Sequence, residues 1–144
     1  MDFSTVARIS ASGMQFQKAR VEAATMNLAN IGTVANAEGA LFQPVEAVAM
    51  SAGFPLNRSF ASVQSALSGV FDVQIRATSR EPIRSYEPGN PAADVQGYVQ
   101  HPDIDHLNEM MTLTSAVRTY EANLAAIQSA RTMFAKALEI GGNS

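Results

Sequence analysis

An α+β fold, mainly α, is what this chain predicts: long N- and C-terminal helices packed as a coiled-coil-like pair, with a small antiparallel β-rich insertion. Three observations carry that expectation. Leu107 to Ile140 holds two apolar rows at seven-residue spacing, with no proline or glycine. Phe3 to Ile31 repeats the spacing. Between them, Phe71, Val73, Ile75 and Ala77 alternate with Asp72, Gln74 and Arg76, the period of a half-buried strand.

The chain in order divides into four parts: 1–33, the N-terminal helix; 34–69, an irregular extended segment; 70–104, a small β-rich domain; and 105–144, the C-terminal helix. In the first helix Phe3, Met14, Val21 and Leu28 mark the apolar seam, with Ala7, Ser10, Gln17, Ala24 and Ile31 completing the four-three alternation. Gly13 inside it marks a close approach or a bend, and Gly32 is a C′ candidate. Pro44, Gly53, Pro55 and Gly69 punctuate the next segment, where Val45 to Met50 suits a strand or a helical turn and Ser62 to Ser68 a short turn. After the strand at Phe71 come a second at Ile83 to Tyr86, a type II turn at Glu87 to Pro91, and a third strand at Asp94 to Val99. Asp105 is the N-cap candidate of the last helix, with Glu109 in its first turn. That helix carries Met110, Val117, Leu124, Arg131 and Leu138 in one row and Leu113, Tyr120, Ile127 and Phe134 in the other. A stripe of this kind cannot bury itself; it needs the first helix and, beyond it, other chains.

Composition narrows the function. The 144 residues suit one domain, 47% apolar but only 16% charged, so small-polar and apolar surface is left for interfaces. A net charge of −3 and the lack of a basic run speak against nucleic acid. The absence of cysteine excludes thiol catalysis, thiolate metal sites and disulfides. No apolar run is long enough for membrane insertion, and Met1-Asp2-Phe3-Ser4 opens no cleavable signal peptide.

His101, Asp103, Asp105, His106 and Glu109 form the densest polar cluster. Their spacing matches no helical ligand pair, so capping acids beside exposed histidines is the plainer reading and a small metal enzyme the rival one. No nucleophile-elbow or phosphate-loop motif occurs; the expectation is no enzyme and no cofactor. For Asn27 two readings stay open: a solvent-facing side chain, or a polar group fixing register beside the seam. Arg20 and Arg131 interrupt apolar rows, either snorkelling or pairing with a carboxylate of another copy.

Asn27-Leu28-Ala29-Asn30-Ile31-Gly32-Thr33 resembles the N-L-A-N-x-x-T signature of bacterial flagellar rod and hook proteins. A second stretch is more specific. Tyr86, Pro88, Gly89, Pro91 and Asp94, then Gly97-Tyr98-Val99, Pro102-Asp103-Ile104-Asp105 and Glu109-Met110, resemble the flagellar basal-body proximal rod family of the FlgC type. Arg118, Tyr120, Ala122 and Asn123 fit its R-x-Y-x-A/Q-N pattern. Ala37 to Gln43 departs from the family's Gly-Gly-Pro-Tyr-Arg-like turn, and Asp103 stands where the family has Asn.

The resemblance implies a structural subunit of the proximal rod, polymerising into a helical tube that transmits torque and encloses the export channel. Its partners would be copies of itself, neighbouring rod subunits and the flagellar type III export apparatus. Its place would be the periplasmic section of the basal body, reached without a cleaved signal. The alternatives are another axial component, such as a different rod subunit or hook-basal adaptor, and a non-flagellar coiled-coil binding module.

Overall fold

The structure is a computed structural model, and it describes residues 3–35, 39–51 and 71–142. The short turn expected at Ser62 to Ser68 lies outside the described residues. Helix α1, Phe3–Asn30, is followed by strands β1, Val45–Ser51, and β2, Phe71–Ala77, then β3, Ile83–Tyr86, and β4, Tyr98–His101, and finally helix α2, His106–Gly142. At ~1.5 Å per residue α2 is roughly 55 Å long and α1 roughly 42 Å. The α+β, mainly α expectation stands.

The helix ends have identifiable causes. Asp105 Oδ1 accepts the amides of Leu107 at 2.9 Å and Asn108 at 3.3 Å, as an N-cap does. At the end of α1 the expected glycine cap is replaced by another device. Gly32 does not take a positive φ. Instead Thr33 donates both its amide, at 3.1 Å, and its hydroxyl, at 2.8 Å, to the Asn30 carbonyl, while Asn30 Nδ2 donates to the Met26 carbonyl. Side chains thus satisfy terminal carbonyls that a left-handed glycine would otherwise have helped to satisfy.

The single three-stranded sheet expected over 70–100 is replaced by two separate antiparallel ribbons, β1–β2 and β3–β4. The partner of β2 comes from the segment expected to be irregular: Val45 pairs with Ala77 and Ser51 with Phe71. Of the two readings left open for Val45 to Met50, the strand is the one found. The strand expected from Asp94 begins only at Tyr98, because Asp94 Oδ1 accepts the amides of Gln96 and Tyr98 and folds the chain into a turn. Gly97 completes that turn at φ +84°, and a Cβ there would lie 2.9 Å from the Tyr86 ring. The turn at Glu87 has its Asn90 amide bonded to the Glu87 carbonyl, but Gly89 keeps a negative φ, so it is type I and not type II.

The core is cut from small residues. Ala19, Ala23 and Ala24 of α1 and Ala116 of α2 are buried, Ala116 completely, beside Ser10, Gln17 and Asn27. Val99 and Ile104 anchor the β3–β4 ribbon and the approach to α2. Helix α1 packs along α2 and also touches both strands of the β1–β2 ribbon.

Candidate functional site

The helices meet in a definite antiparallel register, visible at two points. A Cβ added to Gly13 would come within 3.0 Å of Asn123 Nδ2, so this glycine marks a close approach and not a bend. Asn27 Nδ2 donates to Glu109 Oε1 at 2.9 Å. Residues 13 and 27 are as far apart on α1 as 109 and 123 are on α2: two heptads. The face of α2 turned to α1 is therefore the row Glu109, Ala116, Asn123 and Ala130, each covered at least in part. Its small members let the backbones close in.

That register divides the expected seam. Leu113 and Ile127 are half-buried, as are Met14, Val21 and Leu28 on α1. Met110, Val117, Tyr120, Leu124, Phe134 and Leu138 remain exposed, from 39% at Tyr120 to 62% at Leu138. The described residues of α1 begin with Phe3, whose side chain is not described. Carried ten residues onward, the register sets Phe3 level with Met133. The α2 segment from Phe134 to Gly142 runs past that point by roughly 13 Å. A row from Met110 to Leu138, apolar except at Arg131, thus runs beside the small-residue contact and stays exposed. Isolated apolar residues on a surface need no explanation, but a stripe does.

Asn27 sits where three elements join. It is 2% exposed. Its Oδ1 accepts the Val45 amide at 2.8 Å, and its Nδ2 donates to the Val45 carbonyl at 2.8 Å as well as to Glu109. The side-chain amide thereby imitates one residue of a neighbouring strand, holding the start of β1 to α1 while reaching α2. The solvent-facing reading fails; the contact to Glu109 ties the helices in register, and the bonds to Val45 were not legible. A cleft of about 580 Å³ opens beside it, with Arg20 and Arg80 in its wall. Arg20 Nη1 donates to Gln17 Oε1 on its own helix, and Arg131 is exposed.

The second motif builds the β3–β4 ribbon. Arg84 Nη2 meets Asp94 Oδ2 at 2.9 Å, and its guanidinium lies over the Tyr98 ring at 4.9 Å. Tyr86 meets Tyr98 edge-on, with centroids 5.3 Å apart. The Tyr98 amide, together with that of Gln96 and the Arg84 side chain, holds the Asp94 carboxyl below its ordinary value. Hydrogen bonds from Asn90 and then His101 lower Glu87 likewise. Pro88 packs against Gly97, while Gly89 and Pro91 are exposed turn residues. Leu28 is half-buried, Ala29 is exposed, and Asn30 and Asn123 have the contacts described above.

The polar cluster before α2 is dispersed over separate tasks. His101 faces Glu87 at 3.3 Å, Asp105 caps the helix, and Glu109 meets Asn27. Among the described residues, no three His, Asp or Glu side chains are grouped to hold a metal ion.

Comparison with known proteins follows the same elements. Residues 95–140 match the flagellar basal body rod FlgEFG protein C-terminal family. The chain is 34% identical to the flagellar basal-body rod protein FlgC of Bacillus subtilis, over 92% of this chain and 94% of that protein. It is 32% identical to the FlgC of Escherichia coli O6:H1 over 92% and 93%, and 34% identical to that of Aquifex aeolicus over 96% and 97%. With both helices and the ribbons spanned at this identity, the chain belongs to the FlgC family of flagellar basal-body rod proteins.

Proposed function

We propose that this chain is a structural subunit of the flagellar proximal rod, assembling through the exposed face of its helix pair into a helical tube. The observation that carries the reading is the α2 stripe. The contact with α1 uses small residues and leaves Met110, Val117, Leu124 and Leu138 at heptad spacing on the outside. Burying such a row takes another helix, and copies related by a non-closing rotation give an open tube. The tube would transmit torque and enclose the export channel. Its neighbours are copies of this chain and other rod subunits, delivered to the periplasmic section by the flagellar export apparatus. Among the described residues no helix is long and apolar enough to cross a membrane.

Leu124→Asp tests the reading. Leu124 is already 41% exposed in the single chain, so the substitution changes subunit stability by only about 0.5 kcal/mol. In an assembled seam it buries a charge at a cost of several kcal/mol. The expected result in a strain lacking its own copy is normal export and a normal circular dichroism spectrum of the subunit, with no rod and no swimming. Wild-type swimming with the variant incorporated would overturn the proposal.

A further inference from the structure

We propose that the β1–β2 ribbon is a second assembly surface, at which the outer edge of β2 in one copy receives the outer edge of β1 from the next. This rests on the reading of the chain as a polymerising rod subunit, but it concerns a different element from the helical stripe.

The phase of the ribbon shows which backbone groups are left over. In an antiparallel pair, alternate residues exchange hydrogen bonds with the partner strand and the others point outward. Thr78 donates its amide to the Pro44 carbonyl at 2.7 Å, one step before the ladder. Val45 is the next residue, and both of its backbone groups turn outward to Asn27. These independent contacts set the same phase. Glu46, Val48 and Met50 bond across to β2, while Ala47, Ala49 and Ser51 point outward from β1 and Phe71, Val73, Ile75 and Ala77 point outward from β2. Among the described residues no hydrogen bond is formed by the outward groups of Ala47, Ala49, Val73 or Ile75.

The rest of the molecule manages its edges. At β1 the Asn27 amide occupies the first outward position. At β4 the Gln100 carbonyl accepts the Ala35 amide. Strand β3 has four residues and is bracketed by Pro82 and Pro88. Beyond Val45, neither strand of the seven-residue ribbon has such a device. It contains no proline and no lysine, its register runs through seven pairs without a bulge, and Ala47 and Ala49 are small enough to admit a neighbouring backbone.

The occupant follows from direction and length. When copies share one orientation, as they must along a polar tube, the β1 strand of the next copy lies antiparallel to β2. Both strands have seven residues. Repeating the ribbon's own register across the junction sets Ala49 against Val73, Ala47 against Ile75, and Glu46 beside Arg76, so unlike charges meet. Each copy offers one edge and receives the other. That is a heterologous, non-closing contact, consistent with a tube.

Since the chain has no cysteine, the test is a mixed cross-link. Two differently tagged variants, Ala49→Cys and Val73→Cys, are co-expressed in a strain lacking its own copy, and isolated basal bodies are oxidised. The expected product is a covalent dimer containing one of each tag, absent when Gln96→Cys replaces Ala49→Cys. Incorporation of both variants without that dimer overturns this proposal and leaves the rod reading intact. Absence of the cysteine-free parent from basal bodies overturns the rod reading itself. Ala49→Pro supplies a second arm. It removes an outward amide the ribbon's ladder does not use, so the subunit keeps its circular dichroism and loses incorporation; normal incorporation of this variant overturns the proposal even where a cysteine variant fails to fold.

Discussion

Single side chains determine how the elements of this molecule are joined. Asn27 satisfies both backbone groups of Val45 and one carboxylate oxygen of Glu109. Asn27→Ala leaves those groups without partners, and a loss of about 2 kcal/mol is expected in urea unfolding. Asn27→Asp sets a carboxylate against Glu109; adding Glu109→Gln should recover part of the loss, as a double-mutant cycle would show. Gly97 holds φ +84° under the Tyr86 ring. Gly97→Ala should cost about 2 kcal/mol and shift the Tyr86 and Tyr98 ring resonances in NMR spectra, with little change in the helices. Acidification acts on the same turn. Glu87 and Asp94 are both depressed below their ordinary values of 4.5 and 3.8. Their contribution is therefore fully present above those values and is lost as pH falls through the lower folded ones. The Tyr98 resonances should report this loosening while helical dichroism persists; a Tyr98 signal unchanged down to pH 2 would contradict it.

Elements here are stabilised at their ends and matched along their lengths. Asp105 caps α2 through two amides, and Asp105→Ala should cost about 1 kcal/mol and fray the first turn. Asn30 and Thr33 close α1 by side-chain bonds, which accounts physically for the N-x-x-T spacing. The helix pair shows why heptad spacing underdetermines contact. A row of seven-residue repeats exists at every heptad position, and the closest approach selects Glu109, Ala116, Asn123 and Ala130 because small groups permit it. Gly13→Leu would press into Asn123, so the helices must separate or slip; loss of thermal stability and of assembly are expected together.

At the scale of the whole molecule, the register leaves the two ends of α2 in different states. Ala116 is fully buried against α1, whereas the turns from Phe134 onward run past the first described residue of α1. Local opening free energy follows burial. Amide hydrogen exchange on the dilute subunit should therefore show protection highest near Glu109 to Asn123 and falling toward the C-terminal turns, and protection of those turns should rise on assembly. Uniform protection to the end of α2 in the monomer would show that neighbours are not needed to hold it.

Much of this protein was determined by local chemistry and could be recognised from residues alone. The two helices follow from heptad spacing, over Leu107 to Ile140 without a helix breaker and in α1 despite Gly13, β2 from its alternation, and the Asp105 cap from its place before an apolar run. The family followed from the N-L-A-N and Tyr86–Met110 stretches. Other features belong to the tertiary structure, because they depend on groups far apart in the chain. Val45 meets Asn27 from eighteen residues away, and Glu109 from eighty-two. No periodicity encodes those encounters. Which strand pairs with β2, and which row of α2 closes on α1, were settled only when backbones approached one another. Hydrophobic spacing says that a face must be buried; the fit of small side chains between two helices decides which face remains for another molecule.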